Sequence, residues 1–251
     1  MESLVELLDQ NLIFAFLLLL ARILSFMAFM PIFGHTSVSV TIRIALSFYM
    51  TLFLFPLVDM TAMETFNETY FVKALLMEIT LGFTAAMLVN IIFSAIQIIG
   101  DLIGFATALS MANMFDPATG SQQGIISRFL YMIVLVLYFQ TGMYEVTLLM
   151  LGESLGMIHL GAFNLFEYDL LKFTIEEIRN MFIFAFSFAL PLFFIGFILD
   201  VYYGYGTKSM PAFSPFIVTF QIKFTLIFIF LMLGFDVFVS NFSAYFINKF
   251  S

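Results

Sequence analysis

The chain has 251 residues, 63% hydrophobic and only 10% charged, with a mean hydropathy of +1.08; soluble domains are roughly half apolar, so this is the composition of an integral membrane protein. Its net charge of −8 excludes the basic footprint of nucleic-acid binding and a polybasic membrane-surface patch. The absence of cysteine excludes a disulfide framework, a thiolate metal site and a thiol nucleophile.

Met1 to Asn11 carries Glu2, Glu6 and Asp9 with no Lys or Arg, whereas a cleaved signal needs a positively charged start. The first apolar run is therefore expected to remain in the mature protein. Six apolar stretches approach the length needed to cross roughly 30 Å of hydrocarbon: 12–33, 40–58, 70–100, 125–151, 180–205 and 213–240. The third, about 31 residues or about 46 Å as a helix, is too long for one upright span and must tilt, bend or leave the bilayer. Pro211 and Pro215 mark a turn between the last two stretches. Those two then form a helical hairpin, set apart by the polar stretch 152–179. Acidic residues gather before the first stretch, in 59–73 and in 152–179, while the 34–43 and 204–212 loops hold Arg43 and Lys208 without an acid. The positive-inside tendency places 34–43, 101–128 and 204–212 on the cytoplasmic side and both termini outside.

Ionisable residues interrupt the apolar stretches: Arg22, Glu78, Glu145, Asp200, Lys223 and Asp236. Each must face protein, water or a partner charge. The mixed signs allow Arg22 or Lys223 to meet Glu78 or Asp200, and the sequence leaves the choice open between structural pairs and a proton or ion relay. In the third stretch Glu78, Gly82, Ala86, Asn90, Ser94, Gln97 and Asp101 recur at steps of four or three, which puts them in one stripe of a helix. Such a stripe is a packing or lumen surface. Gly82 with Ala86, and Gly100 with Gly104, are small pairs that let another backbone come close.

From Gly100 to Arg128 the chain reads as a long, Gly-bearing, polar interruption. Irregular backbone at membrane depth is tolerated only against protein or a water-filled cavity, so 101–128 is either a pore element or a connector folded back on the bundle. Met111, Met114 and Phe115 offer the bulk that could seal a constriction or anchor the loop.

No reaction centre is legible. Asp101 and Asp200 suggest an intramembrane aspartyl dyad, but neither sits in a matching signature. There is no Gly-x-Ser-x-Gly, no His-Glu-x-x-His and no phosphate-cradling Gly-rich Lys loop. His35 and His159 have no ligand-spaced partner and read as ordinary loop residues. Neither enzyme activity, a metal nor a cofactor is expected.

These residues together resemble the FliR family, the R subunit of the flagellar type III secretion export gate, over essentially the whole chain. The resemblance is carried by Ala21-Arg22, Met30-Pro31-Ile32-Phe33-Gly34 and Arg43, then by Glu78 with Gly82. It continues through Gly100, Ile103-Gly104, the run Met111-Ala112-Asn113-Met114-Phe115-Asp116-Pro117, Gly120 and Arg128-Phe129-Leu130. Pro191, Asp200, Pro211, Phe216 and Lys223 follow in the family's order. Two stretches depart from it. Ala106-Thr107-Ala108 stands where the family has Gln-Met-Gly, and Lys208-Ser209-Met210-Pro211-Ala212-Phe213-Ser214 stands for its Arg-x-x-Pro-Gln-x-Asn.

The resemblance implies an all-α polytopic membrane protein with long hairpins. A P-subunit-like part (1–178) carries the 101–128 loop, and a Q-subunit-like hairpin (179–251) follows. It implies that residues 105–122 plug the pore, with Met111, Met114, Phe115, Asp116, Pro117 and Gly120 as its plug residues. Arg22, Arg43, Glu78, Asp200 and Lys223 are then buried assembly charges, and Lys208 and Pro211 belong to a cytoplasmic turn. The implied partners are the P and Q gate subunits, the export-switch membrane subunit, unfolded flagellar substrates and the lipid of the bacterial inner membrane, within a flagellar basal body. A competing reading is a proton-coupled secondary transporter using the intramembrane acids, although no second half matches 70–128.

Overall fold

A computed structural model describes residues 10–33, 38–60, 68–107, 124–165, 169–209 and 215–250. Among them the regular structure is entirely helical. The long helices are α1 (Gln10–Phe29), α2 (Val40–Leu54), α3 (Phe71–Ala106), α4 (Ile125–Gln140), α5 (Met143–Met157), α6 (Leu170–Ser209), α7 (Pro215–Leu233) and α8 (Phe235–Phe250). Short 3-10 turns at Phe55–Leu57 and Glu68–Tyr70 extend the end of α2 and lead into α3. Among the described residues, four helices are long and apolar enough to cross a membrane, or up to six spans if each bent pair counts as one.

The chain divides into two compact units, Met1–Ile91 with Tyr144–Glu177, and Ile92–Met143 with Ile178–Ser251. In the first, α1 packs on α2. Among its buried residues, Ala15, Leu18, Leu19, Arg22, Ile23, Phe26 and Met27 recur at the three- and four-residue steps of one helix face, and Ser25 beside them is buried too. In the second, Ile126, Leu130, Val134 and Tyr138 of α4 form a similar buried stripe. Phe238, Phe242 and Phe246 of α8 stack along another, and Tyr138 meets Phe93 and Phe246 edge to face.

The helices differ from the expected segments in instructive ways. The third segment is a helix of 36 residues, about 54 Å long, and it runs on to Ala106. The expected loop 101–128 therefore gives up its first residues to α3 and its last to α4. α6 is longer still at 40 residues, about 60 Å. It begins within the polar stretch expected to separate the hairpin, because Leu170 to Asn180 keeps good helix formers among its charges. Pro191 lies inside α6, as neighbouring structure permits in membrane-type helices, and Pro215 opens α7, where its missing N–H costs nothing.

The segments 125–151 and 213–240 are not continuous helices. The first breaks at Thr141–Gly142, where Gly142 adopts φ 73°, a left-handed conformation that a Cβ disfavours. The second bends by 55° at Gly234. These breaks change the meaning of two acids. Glu145 and Asp236 lie in the first turns of α5 and α8, where free N–H groups and the helix dipole favour negative charge.

Candidate functional site

Helical periodicity puts Arg22 on the buried face of α1 and Glu78 on the small-and-polar face of α3, and in the first unit the two meet. Arg22 Nε donates to Glu78 Oε2 at 2.5 Å and Nη2 donates to Oε1 at 3.0 Å. Both side chains are sealed from solvent, at 1% and 0% exposure. A buried charge pair needs further hydrogen bonds to offset its desolvation, and both partners have them. Arg22 Nη2 also donates to the Ile158 carbonyl at 3.1 Å, and Nη1 to the Ser154 carbonyl at 3.3 Å. These acceptors lie at the C-terminal end of α5, where the Ser154 carbonyl also accepts the Ile158 N–H at 2.9 Å and the helix dipole favours a cation. Glu78 Oε1 accepts the Gly161 N–H at 2.8 Å. Gly161 has φ 76°, so the turn after α5 delivers its amide from a backbone conformation suited to glycine.

The polar stripe of α3 serves as a packing surface along its length. A Cβ on Gly82 would overlap Ser25 Oγ and the Arg22 carbonyl, so that glycine lets α1 approach. Asn90 Nδ2 donates to the Phe29 carbonyl at 2.5 Å, capping the end of α1. In the second unit, a Cβ on Gly100 would overlap the backbone of Ser127. Ser127 Oγ donates to the Asp101 carboxylate and to the Gln97 carbonyl, the latter at 3.2 Å. Gly104 behaves differently from Gly82 and Gly100, since nothing among the described residues lies within 4 Å of a Cβ there. The close approach near that level belongs to Gly196 of α6, whose Cβ would meet the Ala106 carbonyl at 2.9 Å.

A second cross-segment charge pair lies in the second unit. Lys223 Nζ on α7 contacts Asp200 Oδ2 on α6 at 2.6 Å, with side-chain exposures of 6% and 56%. Arg43 lies half-buried in the first turn of α2 and donates to the Val38 carbonyl at 3.0 Å. Lys208 is exposed near the end of α6. His159 is exposed in the turn after α5, its carbonyl accepting the Ala162 N–H at 3.1 Å. Met111, Met114, Phe115, Asp116, Pro117, Gly120, Pro211 and His35 lie outside the described residues.

Several contributors had no sequence signal. Ile158 and Gly161 act through their backbone, which any residue possesses, Ser154 through its carbonyl and also its hydroxyl, which Arg22 Nη1 reaches at 3.5 Å, and Ser127 is one serine among many. Glu145 and Asp236 were legible in principle, because Gly142 and Gly234 just ahead of an acid form a stop-and-start pattern.

The fold and this node define a multi-pass helical membrane protein whose cross-helix charge pairs staple helices to one another. The sequence matches the family of bacterial export proteins, family 1, over residues 13–248, and the chain belongs to that family. It is 29% identical over 220 residues to the flagellar biosynthetic protein FliR of Bacillus subtilis strain 168, covering 87% of this chain and 85% of that protein. The FliR of Aquifex aeolicus is 26% identical over 228 residues, covering 90% and 86%. The secretion system apparatus protein SsaT of Salmonella typhimurium is 23% identical over 158 residues, covering 63% and 61%.

Proposed function

We propose that this chain is a core subunit of a flagellar type III protein-export gate, lining part of an inner-membrane channel for unfolded flagellar proteins. The observation that carries the reading is the family match over residues 13–248, with flagellar relatives that cover most of the chain. Helices of 36 and 40 residues support it, since both exceed the roughly 20 residues of an upright span and suit an assembly that rises out of the bilayer plane.

In this reading the P-like part is 1–178 and the Q-like hairpin 179–251, and the P and Q gate subunits and the export-switch membrane subunit are the partners. Residues 105–122 plug the channel. Arg22, Arg43, Glu78, Asp200 and Lys223 hold the helices in register for assembly, and the turn with Lys208 and Pro211 faces the cytoplasm. The transporter alternative draws no support from the acids it needs, because Glu78 and Asp200 are each engaged by a cation. The test is the native mass of the tagged chain after mild-detergent extraction. A gate subunit emerges in a complex with foreign subunits, and recovery as a 28.6 kDa monomer or a homo-oligomer overturns the proposal.

A further inference from the structure

Along α6 one exposed stripe changes its chemistry in a fixed order. Phe194, Phe197, Ile198, Val201, Tyr202, Tyr205 and Lys208 recur at steps of three, one, three, one, three and three, which keeps them on one face of the helix. The first four are exposed apolar residues. Two tyrosines follow, at 71% and 77% exposure, and then an exposed lysine. The apolar span itself ends at Gly206.

A partner protein would impose no such sequence, whereas a bilayer does: hydrocarbon, then the headgroup boundary where a phenol buries its ring and wets its hydroxyl, then phosphate. The hydroxyls of Tyr202 and Tyr205 make no hydrogen bond to other described residues, and Lys208 has no acid partner among them. We infer that this stripe is a lipid-facing anchor, with Tyr202 and Tyr205 at the headgroup boundary and Lys208 on lipid phosphate.

The same placement accounts for the Asp200–Lys223 pair. Asp200 lies five residues from Tyr205, about 7 Å along the axis, so its exposed carboxylate sits close beneath the boundary rather than at mid-membrane. A long cationic side chain can also reach such a level by snorkelling.

The inference rests on the chain being a membrane protein and is independent of the export role. The chain contains no tryptophan, so Tyr205→Trp and Phe194→Trp each give a single-probe protein. Each full-length variant is reconstituted into phosphatidylglycerol-containing vesicles whose acyl chains are brominated either near the carbonyl or near the methyl end. The 205 probe is expected to lose most emission to the shallow bromines. The 194 probe, eleven residues or about 16 Å deeper, loses most to the deep ones. Lys208→Leu, which extends the apolar stripe, should move the 205 probe toward the deep bromines. If neither probe is quenched, the stripe faces protein or water and the inference fails; equal depths for the two probes also overturn it. Vesicle flotation separates the cases, because a chain that does not float refutes the membrane reading itself.

Discussion

Arg22 and Glu78, 56 positions apart, form a two-bonded ion pair in which each partner also holds backbone at the end of α5. The guanidinium donates to the Ser154 and Ile158 carbonyls, the former shared with the Ile158 N–H, and the carboxylate takes the amide of Gly161. Three separate segments of the first unit are thus fixed by a single pair of side chains.

Breaking a buried pair strands a charge, while removing both partners does not. Arg22→Met or Glu78→Leu alone is therefore expected to cost about 3–5 kcal/mol and to lower recovery of the assembled complex. The double variant Arg22→Met with Glu78→Leu should cost clearly less than the sum of the singles. Unfolding in detergent for all four proteins measures the coupling. Additive losses would show that the two side chains act independently.

The glycines of α3 divide into two kinds. Gly82→Ala and Gly100→Ala place a methyl group on a neighbouring backbone and should each destabilise by about 1–3 kcal/mol, the usual cost of overpacking. Gly104→Ala meets no described residue within 4 Å and should be neutral or slightly stabilising through helix propensity. Thermal unfolding of the three variants decides this, and equal sensitivity at all three positions contradicts the described contacts.

For Lys223 and Asp200 the asymmetry of exposure fixes the order of the effects. Asp200→Ala leaves a buried ammonium without its carboxylate, whereas Lys223→Met leaves a carboxylate that is already 56% exposed. The Asp200 variant should be the less stable by about 1–3 kcal/mol, the cost of an orphaned buried polar group. A less stable Lys223→Met would mean that the lysine contributes chiefly through the contacts of its stem.

The proposed plug has a direct consequence for membrane tightness. A pore wide enough for an unfolded chain leaks ions unless apolar bulk excludes water from it. Deleting 109–119, or replacing Met111, Met114 and Phe115 with Gly or Ser, should leave assembly intact, raise small-ion permeability and slow growth in high salt. A cysteine pair joining this loop to a neighbouring subunit should block export under oxidation and release it on reduction. Normal assembly with an ion-tight membrane would reduce 101–128 to a connector.

Composition and periodicity alone determined the helical membrane class, the overlong third helix and the stripe that runs from Glu78 to Asp101, because hydrophobic burial and the 3.6-residue period are properties of local sequence. The ordered motifs of Arg22, Glu78, the 111–117 run, Asp200 and Lys223 also sufficed to suggest the family. The tertiary structure alone decided which charges pair. Arg22 and Lys223 are chemically able to meet either acid, and only the three-dimensional course of the chain puts Glu78 beside one and Asp200 beside the other. It also decided that Gly100 admits a neighbouring backbone while no described residue approaches Gly104, and that Ser154, Ile158 and Gly161 complete the buried node. Close approach and backbone hydrogen bonding depend on where a neighbouring segment lies, and no side-chain pattern encodes that position.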